Sequence, residues 1–425
     1  MCPMFRWFAA LVLLALVAPA GAPAIAGTTT WTWPGPSPCN TTLQACINHA
    51  SSGEVVEIAS NGPIAETIEI SGKSLNLRPA SGFSPVFAGA SSNDAIDIFG
   101  GAALVGIVIQ GMTIRDGSIT AYQGGSAPFY ATIQGNVIEA DGLDANRTAI
   151  AVRPFGSSPT GEMHFTVIDN TINLGFLQGD DIAAIGVEDL SGPTTGVIAG
   201  NAILGGGTWS TLGAIRLRNG GGSAEVDIHH NRIAASGYNG GVVLVQDDAT
   251  GTLDARVANN LVTGTIDIMG PQPGAISLLA SAGSLHADVL GNTLAGNDTG
   301  FIATASAGAS LTGTLANTLI ADNSVRGVVI GTSIAGGFIN NHNLVFGNGA
   351  NTFTPGSGTV QADPLFAGPG DFRPRGNSPV RDAGNTALAA GIGTDLDGAP
   401  RVSGAAVDIG AWEIGDVIFA NGFDA

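Results

Sequence analysis

The feature that most constrains this 425-residue chain is a short motif that returns at irregular intervals. It is an apolar residue, two variable residues, Asn, one variable residue and a second apolar residue. It reads Ile133, Asn136, Ile138, then Val167, Asn170, Ile172, then Ile198, Asn201, Ile203. It continues as Ile228, Asn231, Ile233, then Val257, Asn260, Val262, then Val289, Asn292, Leu294. Looser copies surround Asn317 and Asn343, and Met112 takes the Asn position in an earlier one. The shortest step is 24 residues, from Met112 to Asn136, and the longest is 34, from Asn136 to Asn170. A solenoid absorbs such variation in its turns, because each repeat contacts only its neighbours.

A second apolar burst stands a near-constant distance before most of these motifs. Examples are Ile150 and Val152, Ile185 and Val187, Ile215 and Leu217, Val242 and Leu244, Ile276 and Leu278, and Val328 and Ile330. The alternation has period two, so every second side chain faces one side of a strand. Each repeat therefore reads as one coil of two or three short strands, stacked on the next to bury a shared interior. The Asn falls where the chain bends between strands. Asn tolerates the left-handed conformation, and its amide can bond to nearby backbone. Stacking predicts an amide ladder through Asn136, Asn170, Asn201, Asn231, Asn260 and Asn292. The expected fold is all-β: a single-stranded parallel β-helix of roughly eleven coils, about 50 Å long at ~4.8 Å per coil.

An open sheet end needs a cap. Leu43, Cys46, Ile47 and Ala50 have helical spacing behind Thr41 and Thr42, and Gly53 precedes a strand from Val55 to Ile58. An N-terminal capping helix over residues 39–50 is expected. Cys39 and Cys46 are the only cysteines after Cys2, and they form either one disulfide or two buried thiols.

Residues 1–26 read as a secretory leader: Arg6, an apolar core over residues 8–17, and small residues Ala24 and Ala26 before Gly27. Beyond them no apolar run reaches the ~20 residues of a membrane helix. The expected location is secreted or cell-surface. The net charge of −19 makes nucleic acid a poor partner.

The capping helix with Leu43, Gln44, Ala45 and Ile47, then Gly53 and the Val55–Ile58 strand, resembles the entry of right-handed parallel β-helix proteins of the pectate-lyase-like superfamily. The resemblance covers about residues 40–350 and implies the right hand. From Asp363 the repeat stops. Asp363-Pro364-Leu365-Phe366, Asp371-Phe372, Asn377-Ser378-Pro379, Asp382-Ala383-Gly384, Arg401 and the Asp408-to-Glu413 stretch resemble the end module of bacterial exported proteins called choice-of-anchor Q. The last residues, Ile418 to Asp424, resemble a terminal motif of Gram-negative exported proteins. The implied organisation is a leader at 1–26, a β-helix at 27–360, an end module at 361–414 and a tail at 415–425.

Aligning the second bursts places Arg153, Glu188, Arg218 and Gln246 in one outward column. Arg216 lies beside it, and Asp189, Asp247 and Asp248 lie beyond the strand end. This is either an ion ladder between coils or a carbohydrate groove, in which Arg forks bind and an Asp pair supplies acid and base. The candidate catalytic residues are Arg216, Arg218, Asp247 and Asp248. The candidate binding residues are Arg153, Glu188, Asp189, Arg218 and Gln246.

The resembled enzymes imply residue sets that this chain lacks. Of the polygalacturonase-like set only the Asp247-Asp248 pair is present, and the one lysine, Lys73, is too near the N-terminus for a lyase that needs a mid-coil Lys. Gln246-Asp247 resembles the pectinesterase-like pattern only in part. Asp180-Asp181 reads as a solvated turn, and His229-His230 as a structural pair with one ring in and one out. Trp209 could stack a sugar from its Gly-rich turn. Asp395 and Asp397 suggest a calcium loop that lacks its further ligands, so no metal or cofactor is expected, with calcium the one candidate. Two functions remain: a monomeric, non-catalytic scaffold or adhesin that binds glycans, or a divergent polysaccharide lyase or hydrolase. The missing sets favour the first.

Overall fold

The computed structural model describes residues 29–88, 94–139, 148–156, 159–173, 183–205, 210–234, 238–266, 274–334, 337–389 and 391–415. The leader, the final tail beyond residue 415, Asp180, Asp181 and Trp209 lie outside them. So do the side chains of Asp189 and residues 210–212.

The described chain is a parallel β-solenoid. Its strands form three parallel sheets of 12, 10 and 11 strands, visited in turn by each coil. A typical coil runs Met163–Ile168 in the first sheet, Thr171–Asn173 in the second and Ile185–Leu190 in the third. Among the described residues the second sheet has ten strands, so the coils number slightly fewer than the expected eleven. One helix, Leu43–His49, and one 3-10 turn, Thr386–Ala389, are the helical elements among the described residues. No helix among them is long and apolar enough to cross a membrane.

The interior is built from stacked columns. Ile133, Val167, Ile198, Ile228 and Val257 lie in register in the first sheet. Ile138, Ile172, Ile203 and Ile233 do so in the second. All are fully buried. Similar β-branched shapes repeat at one strand spacing, so each packs on its counterpart above and below. Where a larger ring enters, its neighbours shrink: Phe165 sits between Ala131 and Gly196. A Cβ on Gly196 would lie 1.9 Å from the Phe165 ring, so the glycine there is a space requirement.

The ladder forms. Asn136 donates through its side-chain Nδ2 and its backbone N to Oδ1 of Asn170, each at 3.0 Å. Nδ2 also donates to the Ile109 carbonyl one coil back. The same three bonds repeat at Asn170, Asn201, Asn231 and Asn260. The left-handed conformation, however, belongs to the residue before each Asn. Gly135, Asp169, Gly200, His230, Asn259 and Gly291 have φ between 56° and 66°. This division has a reason. A ladder Asn must aim its amide inward along the stack, so the sharp bend is made one residue earlier.

The looser copy near Asn317 is corrected in the same way: Asn317 is the bend residue, with φ 52°, and Thr318 holds the ladder position. Thr318 has one short oxygen where Asn has an amide. Asn292 N reaches it at 3.4 Å, and the ladder resumes through Thr318 N to Asn343 Oδ1 at 2.9 Å. A second ladder, absent from the sequence reading, runs beside it at the next bend. Asn297 donates to Asn323, and Asn323 to Asn348, again from both N and Nδ2.

The N-terminal cap is an electrostatic closure. Glu66 accepts from the Leu43 and Gln44 amides at the helix start, and Thr42 accepts from Ala45. At the other end, Lys73 donates to the carbonyls of Ile47, Asn48 and Ala50. The single lysine is thus a helix C-cap, where a cation meets the negative end of the helix. Gln44 pairs with the backbone N and O of Glu69, closing the open edge of the third sheet. Cys39 and Cys46 form a disulfide with Cα atoms 4.4 Å apart. One strand, Thr30–Trp33, adds to the first sheet ahead of the helix.

Residues 363–415 run back over the corner between the first and second sheets. Ile392 and Leu388 cover Ala258, Leu290 and Ala316. Val380 and Ile409 pack on Leu319, Ala321 and Leu344, and Trp412 on Leu261. The centre of the block is a fully buried ion pair, Arg401 with Glu413. Arg401 also donates to the Gly410 carbonyl at 2.7 Å. Burial pushes the Glu413 carboxyl up to about 7, against the pull of Arg401.

Two stability outcomes follow from the ladder. Asn231→Leu strands the Asn201 amide and the Ile198 carbonyl, and should lower unfolding free energy by about 3 kcal/mol in chemical denaturation. Thr318→Asn should fill the gap between Asn292 and Asn343 and raise it by about 1 kcal/mol.

Candidate functional site

The outer face of the third sheet holds most of the residues singled out from sequence, in a changed arrangement. Glu188 lies opposite Arg218, as expected. Arg218, however, pairs with Val245, and Gln246 pairs with Asn219. Gln246 is therefore turned inward and fully buried. Its Oε1 accepts from Asn219 Nδ2 at 2.8 Å, and its Nε2 donates to the Asp248 carbonyl. Strict alternation from Val242 and Leu244 holds to the end of the strand and turns Gln246 inward; Val245 is the residue of this coil that belongs to the outward column.

The remaining charges are paired between coils. Arg216 donates to Glu188 at 2.5 Å, and Arg218 to Asp247 at 2.7 Å. Asp248 stands apart from this group as a turn carboxylate. It accepts from the backbone N and the hydroxyl of Thr250, which hold it below its ordinary value, the hydroxyl most strongly. Asp247 and Asp248 thus do not act as one carboxylate pair: one belongs to an arginine and the other to a turn.

Arg153 is arranged differently. It donates to the Tyr122 hydroxyl at 2.8 Å, with its guanidinium 5.0 Å from the centre of the Tyr122 ring. Tyr122 stacks on Phe99 at 4.7 Å, with planes 6° apart. Phe155 stands edge-on to both, 5.1 Å from Phe99 and 5.7 Å from Tyr122, and is 60% exposed. Among the described residues no carboxylate pairs with Arg153. This aromatic platform was missed from sequence. Its signal was present: Phe99, Tyr122 and Arg153 are consecutive in one outward column, in register coil by coil.

A second outward column, also missed, runs along the first sheet. His164, Thr195, Glu225, Asp254, His286 and Thr312 are in register on successive coils. His164 bonds Thr195 at 2.6 Å and stacks on Tyr130, and His286 bonds Thr312 at 3.0 Å. Burial raises the Asp254 carboxyl, with Asp288 adding to the effect and His286 opposing it.

The suggested calcium loop is committed elsewhere. Asp395 accepts from the backbone amides of Asp397, Ala399 and Glu413. Asp397 pairs with Arg232. Among the described residues no three His, Cys, Asp or Glu side chains converge on a metal-sized site. His229 and His230 are both part-exposed, so neither ring is in the interior. His230 occupies the left-handed bend, which turns its ring along the surface.

No family model matches the chain, and no curated protein matches it. Among solved structures it is similar to one described as the complex structure of XylC with xylose. The likeness has a TM-score of 0.47 at 10% identity, over 91% of this chain and 99% of that one.

Proposed function

We propose that the protein is an exported β-helix that binds glycans on the outer face of its third sheet without turning them over. The observation that supports this reading is the platform of Phe99, Tyr122 and Phe155 beside Arg153. Aromatic faces carry partial negative charge, and attract the C–H face of a sugar ring. A guanidinium donates to hydroxyl or carboxylate oxygens. The Arg216–Glu188 and Arg218–Asp247 pairs continue this surface onto the next coils as hydrogen-bonding groups. Both carboxylates of these pairs are held by arginine.

Secretion or surface display, a monomeric state and a role as scaffold or adhesin belong to the same proposal. So do the right hand of the coil and a choice-of-anchor Q kinship of residues 361–414. Right-handed crossovers are the rule between parallel strands of one sheet.

A hydrolase or lyase is the second reading. Its supporting observation lies on the first sheet, where Glu225 and Asp254 stand opposite one another and burial raises Asp254. One experiment separates the two. The purified protein is incubated with an array of neutral and acidic oligosaccharides, read for binding and for new reducing ends or unsaturated products. Binding without product is expected, with at least tenfold weaker binding for Phe155→Ala. Product formation that Asp254→Asn or Asp247→Ala abolishes would overturn the non-catalytic reading. Wild-type affinity in Phe155→Ala would overturn the platform as its site.

A further inference from the structure

The C-terminal block is held to the coils by a contact with an unusual proton balance. His229 and His230 face each other through their Nδ1 atoms at 2.8 Å. A hydrogen bond of that length holds one proton between the two nitrogens. If both rings are neutral, one Nδ1 carries the proton and the other accepts it. If one ring is an imidazolium, the gap still holds a single proton. If both are imidazolium, two N–H groups meet head-on, and the rings must part.

The second ring is tied to the block. His230 Nε2 lies 3.0 Å from the Thr394 carbonyl and 3.2 Å from the Thr394 hydroxyl. Asn259 Nδ2 donates to the same carbonyl at 3.1 Å and lies equally close to His230 Nε2. Because His230 Nε2 is held at Thr394, a movement of this ring away from His229 breaks its contacts to the block.

The charged groups around the pair are few. Asp227 lies 3.8 Å from His229 Nε2 and is itself bound by Arg256. Arg256 also reaches the Gly391 carbonyl at 3.4 Å. On the side of the block, Arg232 bonds Asp397 and the Leu396 carbonyl. Burial is the largest influence on His229 and holds it below the ordinary histidine value; Asp227 favours an added proton, and His230 and Arg256 oppose it.

We propose that His229 and His230 form an acid-released clasp, which holds residues 391–397 on the coils at neutral pH and frees them when both rings are protonated. The sign follows from linkage. The docked form resists the second proton, so the released form binds more protons. Docking is complete above the ordinary histidine value of ~6.5 and weakens as pH falls below it. Release would uncover Ala258, Leu290 and Ala316, the apolar strip beneath Ile392 and Leu388.

Hydrogen exchange of the full chain tests this, at pH 7.5 and 5.0, corrected for the intrinsic pH dependence of exchange. Protection of the peptide around residues 386–400 should fall at least tenfold at pH 5.0, while the Leu75–Pro79 strand keeps its protection. In His229→Asn, which leaves one titrating ring, the fall should shrink to twofold or less. Equal protection of wild type at both pH values, or an undiminished fall in His229→Asn, would overturn the clasp. Ring 15N NMR of the wild type is an independent check. Two rings titrating separately near 6.5 would overturn it, and a second protonation displaced well below 6.5 would support it.

Discussion

One hydrogen-bonded unit underlies the whole solenoid: a buried Asn amide whose oxygen accepts two donors from the coil before it, and whose nitrogen donates to a carbonyl of that coil and to the Asn of the coil after. Each coil carries an apolar interior face that it cannot bury alone. Stacking solves this but leaves the backbone polar groups at each bend without partners in the interior. The ladder supplies those partners, with Asn136 bonding both Asn170 and the Ile109 carbonyl. Because every amide uses the next, register is fixed along the stack, and a slipped coil would leave buried donors unpaired.

The ladder also dictates what surrounds it. The bend must be made by the residue ahead of the Asn, so that position accepts only residues that tolerate positive φ: Gly, Asp, Asn and His here. These side chains point along the outside of the corner, where they become docking points. His230, Asn259 and Asn317 are all bend residues, and all bond the C-terminal block. A local requirement of the coil thereby creates the surface on which residues 363–415 fold back.

Much of the fold was legible because its signal is periodic. The Asn motif marked the bends, the period-two bursts marked the strands, and Leu43, Cys46 and Ile47 marked the helix. What escaped was set by neighbours distant in sequence. The second ladder is spelled at Asn297, Asn323 and Asn348, five residues after Asn292, Thr318 and Asn343, and begins at Thr265, so its signal is short and not all Asn. The role of Lys73 depends on where the helix end lies in space. Gln246 was placed outside by a one-residue slip in the column, whose outward member on this coil is Val245. The aromatic platform was hidden because Phe99, Tyr122 and Phe155 are unremarkable singly and meet only through register.

Buried amide ladders hold the coils in register. The most direct measurement is exchange of the asparagine side-chain amide protons, followed by NMR at neutral pH. Ladder amides such as those of Asn170, Asn201 and Asn231 should exchange with protection comparable to the buried backbone, roughly a hundredfold or more slower than the side-chain amide of exposed Asn48. Exchange of those amides at the rate of Asn48, in a chain whose backbone remains protected, would mean that the ladders do not hold the coils.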